Sequence, residues 1–76
     1  MRKVTVSEYI KLGAKIRYYR QLMGINQSEL AEIVCISPQY LSKIECGRRI
    51  PSIPIMAAIA KALNMSIAEL LKETGL

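Results

Sequence analysis

The sequence predicts one small all-α domain, and three observations support this prediction. The chain has 76 residues, enough for a single hydrophobic core. Its apolar residues recur at three- and four-residue spacing, as on the buried face of a helix, rather than in the alternation of a strand. Ser, Asn, Gly and Pro stand between these stretches, where helices begin and end. We therefore expect five short helices in one compact unit.

The first two helices are predicted in the first half of the chain. The first spans residues 7–23, with Ser7 as its N-cap and Gly24 as the residue that ends it. Its apolar positions are Tyr9, Leu12, Ile16, Tyr19 and Met23. A second helix is predicted over residues 27–34, because Asn26 and Glu29 have the spacing of a capping box. Residues 1–6 are left as an N-terminal tail, and residues 7–76 form the domain.

Three more helices are predicted in the second half. Ser37 and Pro38 are a strong start signal for a helix over residues 38–46, which Gly47 ends. After a loop over residues 47–51, Ser52 can cap a fourth helix that ends at Asn64. The apolar positions of this helix are Ile53, Met56, Ile59, Ala60 and Leu63. Ser66 and Glu69 then form a second capping-box pattern, which opens the last helix.

Composition limits the possible functions. Eleven Lys and Arg residues face six acidic residues, all of them Glu, so the net charge is +5 and an anionic partner is plausible. The chain has no His and no Asp, and neither Cys has a plausible catalytic base beside it, so an enzyme is not expected. We also expect no metal ion, no cofactor and no small-molecule ligand. Cys35 and Cys46 lack CxxC spacing and are predicted to be buried free thiols.

A membrane role is not expected either. No apolar run approaches the ~18 residues that a spanning helix needs, and the N-terminus turns polar too soon for a signal peptide. The basic residues are spread over several predicted elements instead of lining one amphipathic helix. We therefore expect a cytoplasmic protein.

The second and third predicted helices form a tight pair. Only Cys35 and Ile36 join them, so the chain is too short to reverse and the helices must cross steeply. A pair of this kind suits docking on DNA. Ala31 is small where the helices approach each other, and Leu41 and Ile44 can anchor the third helix in the core. A helix-turn-helix is thus predicted over residues 27–46.

From Leu12 to Leu71 the sequence resembles the Cro and phage-repressor type of helix-turn-helix regulator, often called XRE-like. The resemblance is carried by the segment IRYYRQLMGINQSELAEIVCISPQYLSKIECGRRIPS. GINQSELA, the SP start, IECG and a basic loop before Pro follow one another in the family's order. The resemblance implies a lambda-repressor-like domain, bacterial or phage-encoded, whose third helix enters the major groove of double-stranded DNA.

The resemblance also implies roles for individual residues. Base contacts fall to four residues of the third helix, first Gln39 and Lys43 and second Tyr40 and Ser42. Gln can pair with adenine, and Lys can donate to the guanine acceptors O6 and N7. Contacts with the DNA phosphate backbone are expected from Gln27, Ser37, Arg48 and Arg49. For Gln27 a role in seating the third helix stays open, and for the others an ordinary solvated surface is the alternative.

Three positions concern structure rather than DNA contact. Arg20 and Glu45 match a family ion pair that ties the first helix to the end of the third. Cys35 stands where the family usually has Gly, at a turn that favours positive φ, so it is expected to cost about 1–2 kcal/mol. A redox-sensing Cys35 is an alternative. Pro38 replaces a side chain that often contacts bases, so specificity cannot be copied from a relative.

A dimer surface has two candidates. Ile55, Ala58 and Ala62 form an apolar stripe on one side of the fourth helix, where the family pattern is usually polar. Leu76 and the end of the last helix compete with this stripe, and a locally Ala-rich helix without a partner is a further alternative. A dimer would place two DNA half-sites about 34 Å apart.

We therefore expect a sequence-specific transcription regulator that acts as a homodimer on a palindromic operator. Repression is the default mechanism, and activation stays open. Relatives of this length include phage repressors, restriction-modification controllers and antitoxins, which the sequence does not separate. The alternative function is a protein-interaction module, antitoxin-like or an adaptor, that uses the same fold with only non-specific affinity for DNA.

Overall fold

The computed structural model describes residues 6–76, and over these residues the chain forms five α-helices and no strand. The helices are α1 (Val6–Leu22), α2 (Gln27–Val34), α3 (Pro38–Glu45), α4 (Ile53–Ala62) and α5 (Ile67–Leu71). The predicted all-α class is confirmed, with α2 and α3 as the helix-turn-helix pair. Cys46, predicted as the last residue of the third helix, is its C-cap instead.

The predicted caps account for the starts of α2 to α5. Asn26 and Ser66 each form a complete capping box with a glutamate three residues on. Ser37 and Ser52 accept hydrogen bonds from backbone N–H groups of the first turns of α3 and α4. In the last box, the hydrogen bond that the Ser66 backbone donates to Glu69 lowers the pKa of this carboxyl below its ordinary value.

The start of α1 differs from the prediction. Val6 already belongs to α1, so Ser7 lies inside the helix and does not cap it. The rest of the predicted tail, residues 1–5, lies outside the described residues. A tertiary contact lies next to this start: Glu8 is buried, and a Cβ built on Gly75 would lie 3.2 Å from Glu8 Cγ. The C-terminal segment therefore packs on the first turns of α1.

Among the residues that the structure describes, twelve buried apolar side chains form the core. They are Leu12, Ile16, Leu30, Ala31, Val34, Leu41, Ile44, Met56, Ile59, Ala60, Leu63 and Leu70. Helix α2 packs on α3 and α4, while α1 packs on α3 and α5 and closes the bundle. Two predicted core positions are wrong, because Met23 lies beyond the end of α1 and Ile53 is the first residue of α4, at the solvent-facing start of that helix. Their side chains are 48% and 74% exposed.

Both cysteines are exposed, so the prediction of buried thiols is wrong. Each one is a C-cap residue, Cys35 after α2 and Cys46 after α3, and the chain turns outside the core at both places. Residues 6–76 contain no group of three or more side chains placed to hold a metal ion. Among the same residues, no helix is long and apolar enough to cross a membrane.

Cys35 has φ +63°, the left-handed conformation that the sequence predicts for this turn. Replacing it with Gly should remove the steric cost of the Cβ, partly offset by the greater freedom of Gly in the unfolded chain. We expect Cys35→Gly to raise the free energy of unfolding by about 0.5–1 kcal/mol in urea denaturation. Cys46 is the matched control, since it is also exposed but has φ −87°. An equal gain for Cys46→Gly would contradict this explanation.

Candidate nucleic-acid interface

The C-terminal end of α3 lies directly on the backbone of α1. A Cβ built on Gly13 would lie 2.5 Å from the carbonyl oxygen of Glu45, closer than real Cβ atoms approach. Just beyond α3, a Cβ on Gly47 would lie 2.9 Å from Cα of Ile10, and Gly47 also has φ +76°. Neither glycine has room for a side chain, so the backbones of α1 and of the end of α3 pack directly on each other, and α1 fixes the position of that end.

A buried ion pair holds the same end of α3. Arg20 donates from Nε to Glu45 Oε2 at 2.7 Å and from Nη2 to Oε1 at 3.0 Å. The remaining terminal nitrogen, Nη1, donates to the carbonyl oxygen of Ile25 at 2.9 Å. Arg20 and Glu45 are only 7% and 6% exposed, so the two charges compensate each other away from water.

Gln27 joins this network from α2. Its Nε2 donates to Glu45 Oε1 at 3.0 Å, so the first residue of α2 is bonded to the last residue of α3. This geometry matches the seating role, one of the two roles that the sequence allows for Gln27. The side-chain amide has a second hydrogen, which leaves a phosphate contact chemically available. One carboxylate thus connects α1, α2 and α3.

The outer face of α3 presents two of the four predicted base-contacting residues. Gln39 and Lys43 are exposed and stand four residues apart, so they share one face of the helix. Ser42 is half-buried, and Tyr40 is half-buried and packs against the core. At the start of this face, Ser37 Oγ accepts the backbone N–H of Tyr40 at 3.1 Å, which leaves the hydroxyl hydrogen for another acceptor.

The basic loop folds back to the end of α3. The backbone N–H groups of Arg48 and Arg49 lie 2.8 and 3.3 Å from the carbonyl oxygen of Lys43, to which both donate. Both arginine side chains are exposed, so three basic residues stand together at this end of the helix. The guanidinium carbon of Arg49 lies 5.7 Å from the centroid of the Tyr40 ring. Sequence reasoning missed this contact, because no periodicity links residues nine positions apart across a turn.

The apolar stripe on α4 that the sequence predicts as a dimer surface is less exposed to solvent than expected. Ile55, Ala58 and Ala62 are half-buried and pack partly against the core, while Leu76 is 39% exposed. Two neighbouring residues are more open: Ile50, which the sequence analysis did not name, is 53% exposed, and Ile53, which it placed on the buried side of the helix, is 74% exposed. The largest apolar exposure near α4 is therefore at its N-terminal end, next to the basic loop.

Comparison with known protein families also identifies a helix-turn-helix in this chain. The family described as "Helix-turn-helix" matches residues 16–70, which is more than half of the chain and includes both helices of the pair. The chain belongs to the helix-turn-helix family. The match also includes Arg20, Gln27, Gln39, Lys43 and Glu45. The resemblance to Cro and phage-repressor type regulators is thereby confirmed.

The proteins to which this helix-turn-helix chain is similar include some that are named as regulators. It is 34% identical over 65 residues to the control protein C.SmaI of Serratia marcescens, covering 86% of this chain and 77% of that protein. It also resembles the crystal structure of the clp gene regulator ClgR from Corynebacterium glutamicum, with TM-score 0.84 and 35% identity over 97% of this chain and 92% of the other. The solution structure of the P22 c2 repressor DNA-binding domain gives TM-score 0.78 and 32% identity, covering 82% of each chain.

Proposed function

We propose that this chain, a helix-turn-helix transcription regulator, recognises a specific DNA sequence with the outer face of α3. The observation that carries the proposal is the exposure of Gln39 and Lys43 on one face of a helix whose end is fixed by α1. A rigidly held helix can present side chains to base edges in the major groove with a defined geometry. The similarity to the DNA-binding domain of the P22 c2 repressor supports the same function.

Within this proposal, the residues that contact DNA divide into two groups. Gln39 and Lys43 contact base edges, and each good contact contributes about 1–3 kcal/mol of discrimination between base pairs. Arg48 and Arg49 contact phosphates and contribute affinity for any sequence. Ser37 and Gln27 have hydrogens available for phosphates at the starts of α3 and α2. Ser42, being half-buried, and Tyr40 are second to these residues.

We further propose a homodimer on a palindromic operator in the cytoplasm. The exposed Ile53, next to the half-buried Ile55, provides apolar surface that a second copy of the chain can bury. This surface directly follows the basic loop in the chain. Leu76, the last residue of the sequence, is the competing candidate for the dimer interface.

Sedimentation equilibrium of the wild-type chain should show a dimer that Ile53→Glu disrupts and Leu76→Glu leaves intact. The reverse pattern would assign the interface to Leu76.

Repression by occupying a promoter is the mechanism we favour, in keeping with the repressor to which the fold is similar. The names of the relatives, a control protein and a gene regulator among them, leave activation open. A protein-interaction module is the second candidate function. The half-buried apolar stripe on α4 is a surface that another protein could bind, but the exposed cations around α3 have no role in such a module.

Two variants should separate base contact from phosphate contact. On a duplex that the wild-type protein selects from a random pool, Lys43→Ala should lose about 10- to 100-fold in affinity but keep its affinity for random DNA. Arg49→Ala should weaken both duplexes by the same factor and reduce the salt dependence by about one phosphate contact. Fluorescence anisotropy at several salt concentrations measures both effects. Equal losses on both duplexes for Lys43→Ala would contradict a base-contacting role.

A further inference from the structure

Tyr40 and Arg49 form a contact that joins the basic loop to α3. The guanidinium carbon lies 5.7 Å from the ring centroid, within the range in which an aromatic face attracts a cation. The two residues differ in freedom, since Tyr40 packs partly against the core whereas Arg49 is exposed. The ring is therefore a fixed surface, and the contact limits the many rotamers that an exposed arginine would otherwise sample.

The contact leaves the hydrogen-bonding groups of Arg49 available. A cation–π contact acts on the charge of the guanidinium group and occupies at most the N–H groups nearest the ring, whereas the group has five N–H donors in all. A carboxylate partner would occupy those donors, as Glu45 does for Arg20. Over residues 6–76 no carboxylate lies within ion-pair distance of Arg49. Arg49 thus contacts the ring while it keeps N–H donors for another anion.

We propose that Tyr40 is a positioning residue for Arg49, which it holds ready to donate to a DNA phosphate, and not a base-contacting residue. The proposal rests on DNA binding as the proposed function. It differs from the role that the family resemblance implies for Tyr40. The reason is geometric: the ring packs partly against the core, and the guanidinium group of Arg49 lies over it, so a base edge would have to compete with both for the ring.

A double-mutant cycle tests this role on random duplex DNA and on the selected duplex. Tyr40→Phe keeps the ring face and should bind both duplexes like the wild-type protein. Tyr40→Leu keeps apolar volume without the ring, and it should weaken both duplexes equally, by about two- to fivefold. In an Arg49→Ala background Tyr40→Leu should have no further effect, because the group that Tyr40 positions is gone. In the matched Arg48→Ala background it should keep its full effect.

Several results would overturn the proposal. A loss of preference for one base pair in Tyr40→Phe would make the phenol a base-contacting group. Equal effects of Tyr40→Leu in the Arg49→Ala and Arg48→Ala backgrounds would show that Tyr40 does not act through Arg49. The measurements on random duplex DNA do not need an operator. If the wild-type protein selects no sequence, sequence-specific recognition fails, but the coupling between Tyr40 and Arg49 is still measured, so the two proposals can fail separately.

A second measurement uses only the folded wild-type protein and remains decisive even if Tyr40→Leu does not fold. The Arg49 side-chain protons near the ring face should show upfield ring-current shifts in the proton NMR spectrum of the free protein. The Arg48 protons are the internal control, because that side chain makes no ring contact in the described part of the chain. Equal, unshifted resonances for the two arginines would overturn the proposal.

Discussion

Glu45→Gln is expected to lower the free energy of unfolding by about 3–5 kcal/mol. The substitution keeps the shape of the side chain but leaves the buried Arg20 guanidinium without its counter-charge. It also weakens the hydrogen bond from Gln27, so α1, α2 and α3 lose their common acceptor. A domain of this length has roughly 4–11 kcal/mol of stability in total, so the loss should be visible in urea denaturation and in the melting temperature.

Two control variants separate the buried charge from a general charge effect. Glu32→Gln changes the same net charge on the exposed side of α2 and should alter stability by less than about 0.5 kcal/mol. The double variant Arg20→Met with Glu45→Leu should recover most of the loss, because it removes both buried charges. If Glu45→Gln were as mild as Glu32→Gln, the ion pair would not hold α3 in place.

Gly13→Ala should lower the free energy of unfolding by about 1–3 kcal/mol and weaken binding to the selected duplex. Helix propensity alone predicts the opposite, a gain of about 1 kcal/mol, since Ala is the better residue inside a helix. The contact decides the sign, because the added Cβ meets the backbone carbonyl of Glu45, which cannot rotate away as a flexible side chain can. Urea denaturation and DNA titration of the same samples measure both effects.

The neighbouring Ala14 provides the control for Gly13. It is exposed in the same helix, so Ala14→Gly should lose only about 1 kcal/mol through propensity and leave DNA binding of the folded protein unchanged. A stabilised Gly13→Ala with normal DNA affinity would show that α3 does not depend on close approach to α1.

Much of the fold could be predicted from the sequence, because local signals agree with the tertiary structure. The four capped helix starts after α1 depend on residues one turn apart, and the periodicity of apolar residues marks the buried faces of the helices. The left-handed turn at Cys35 could be predicted from its place between two short helices in the family pattern. Gln39 and Lys43 could be assigned to one surface because α3 begins at a clear signal.

The failures occur where distant segments decide the outcome. Ser7 lies inside α1, whose first turns pack against the C-terminal segment, where Gly75 lies next to Glu8 although the two are 67 residues apart in the chain. Ile53 fits the apolar period of α4 but points to solvent, because period alone does not say where a helix meets its neighbour. The Gly13 contact and the Tyr40 contact with Arg49 also need the tertiary arrangement. The sequence shows the residues but not their proximity.

The most direct test of the central claim is selection of bound duplexes from a random pool by the wild-type chain, at two salt concentrations. If α3 contacts base edges and two copies bind together, the selected duplexes should share a palindrome whose half-sites are about one helical turn, ~34 Å, apart. The preference should persist at the higher salt concentration, although total affinity falls. A pool without an enriched sequence, in which binding simply disappears with salt, would contradict the claim and favour the protein-interaction function.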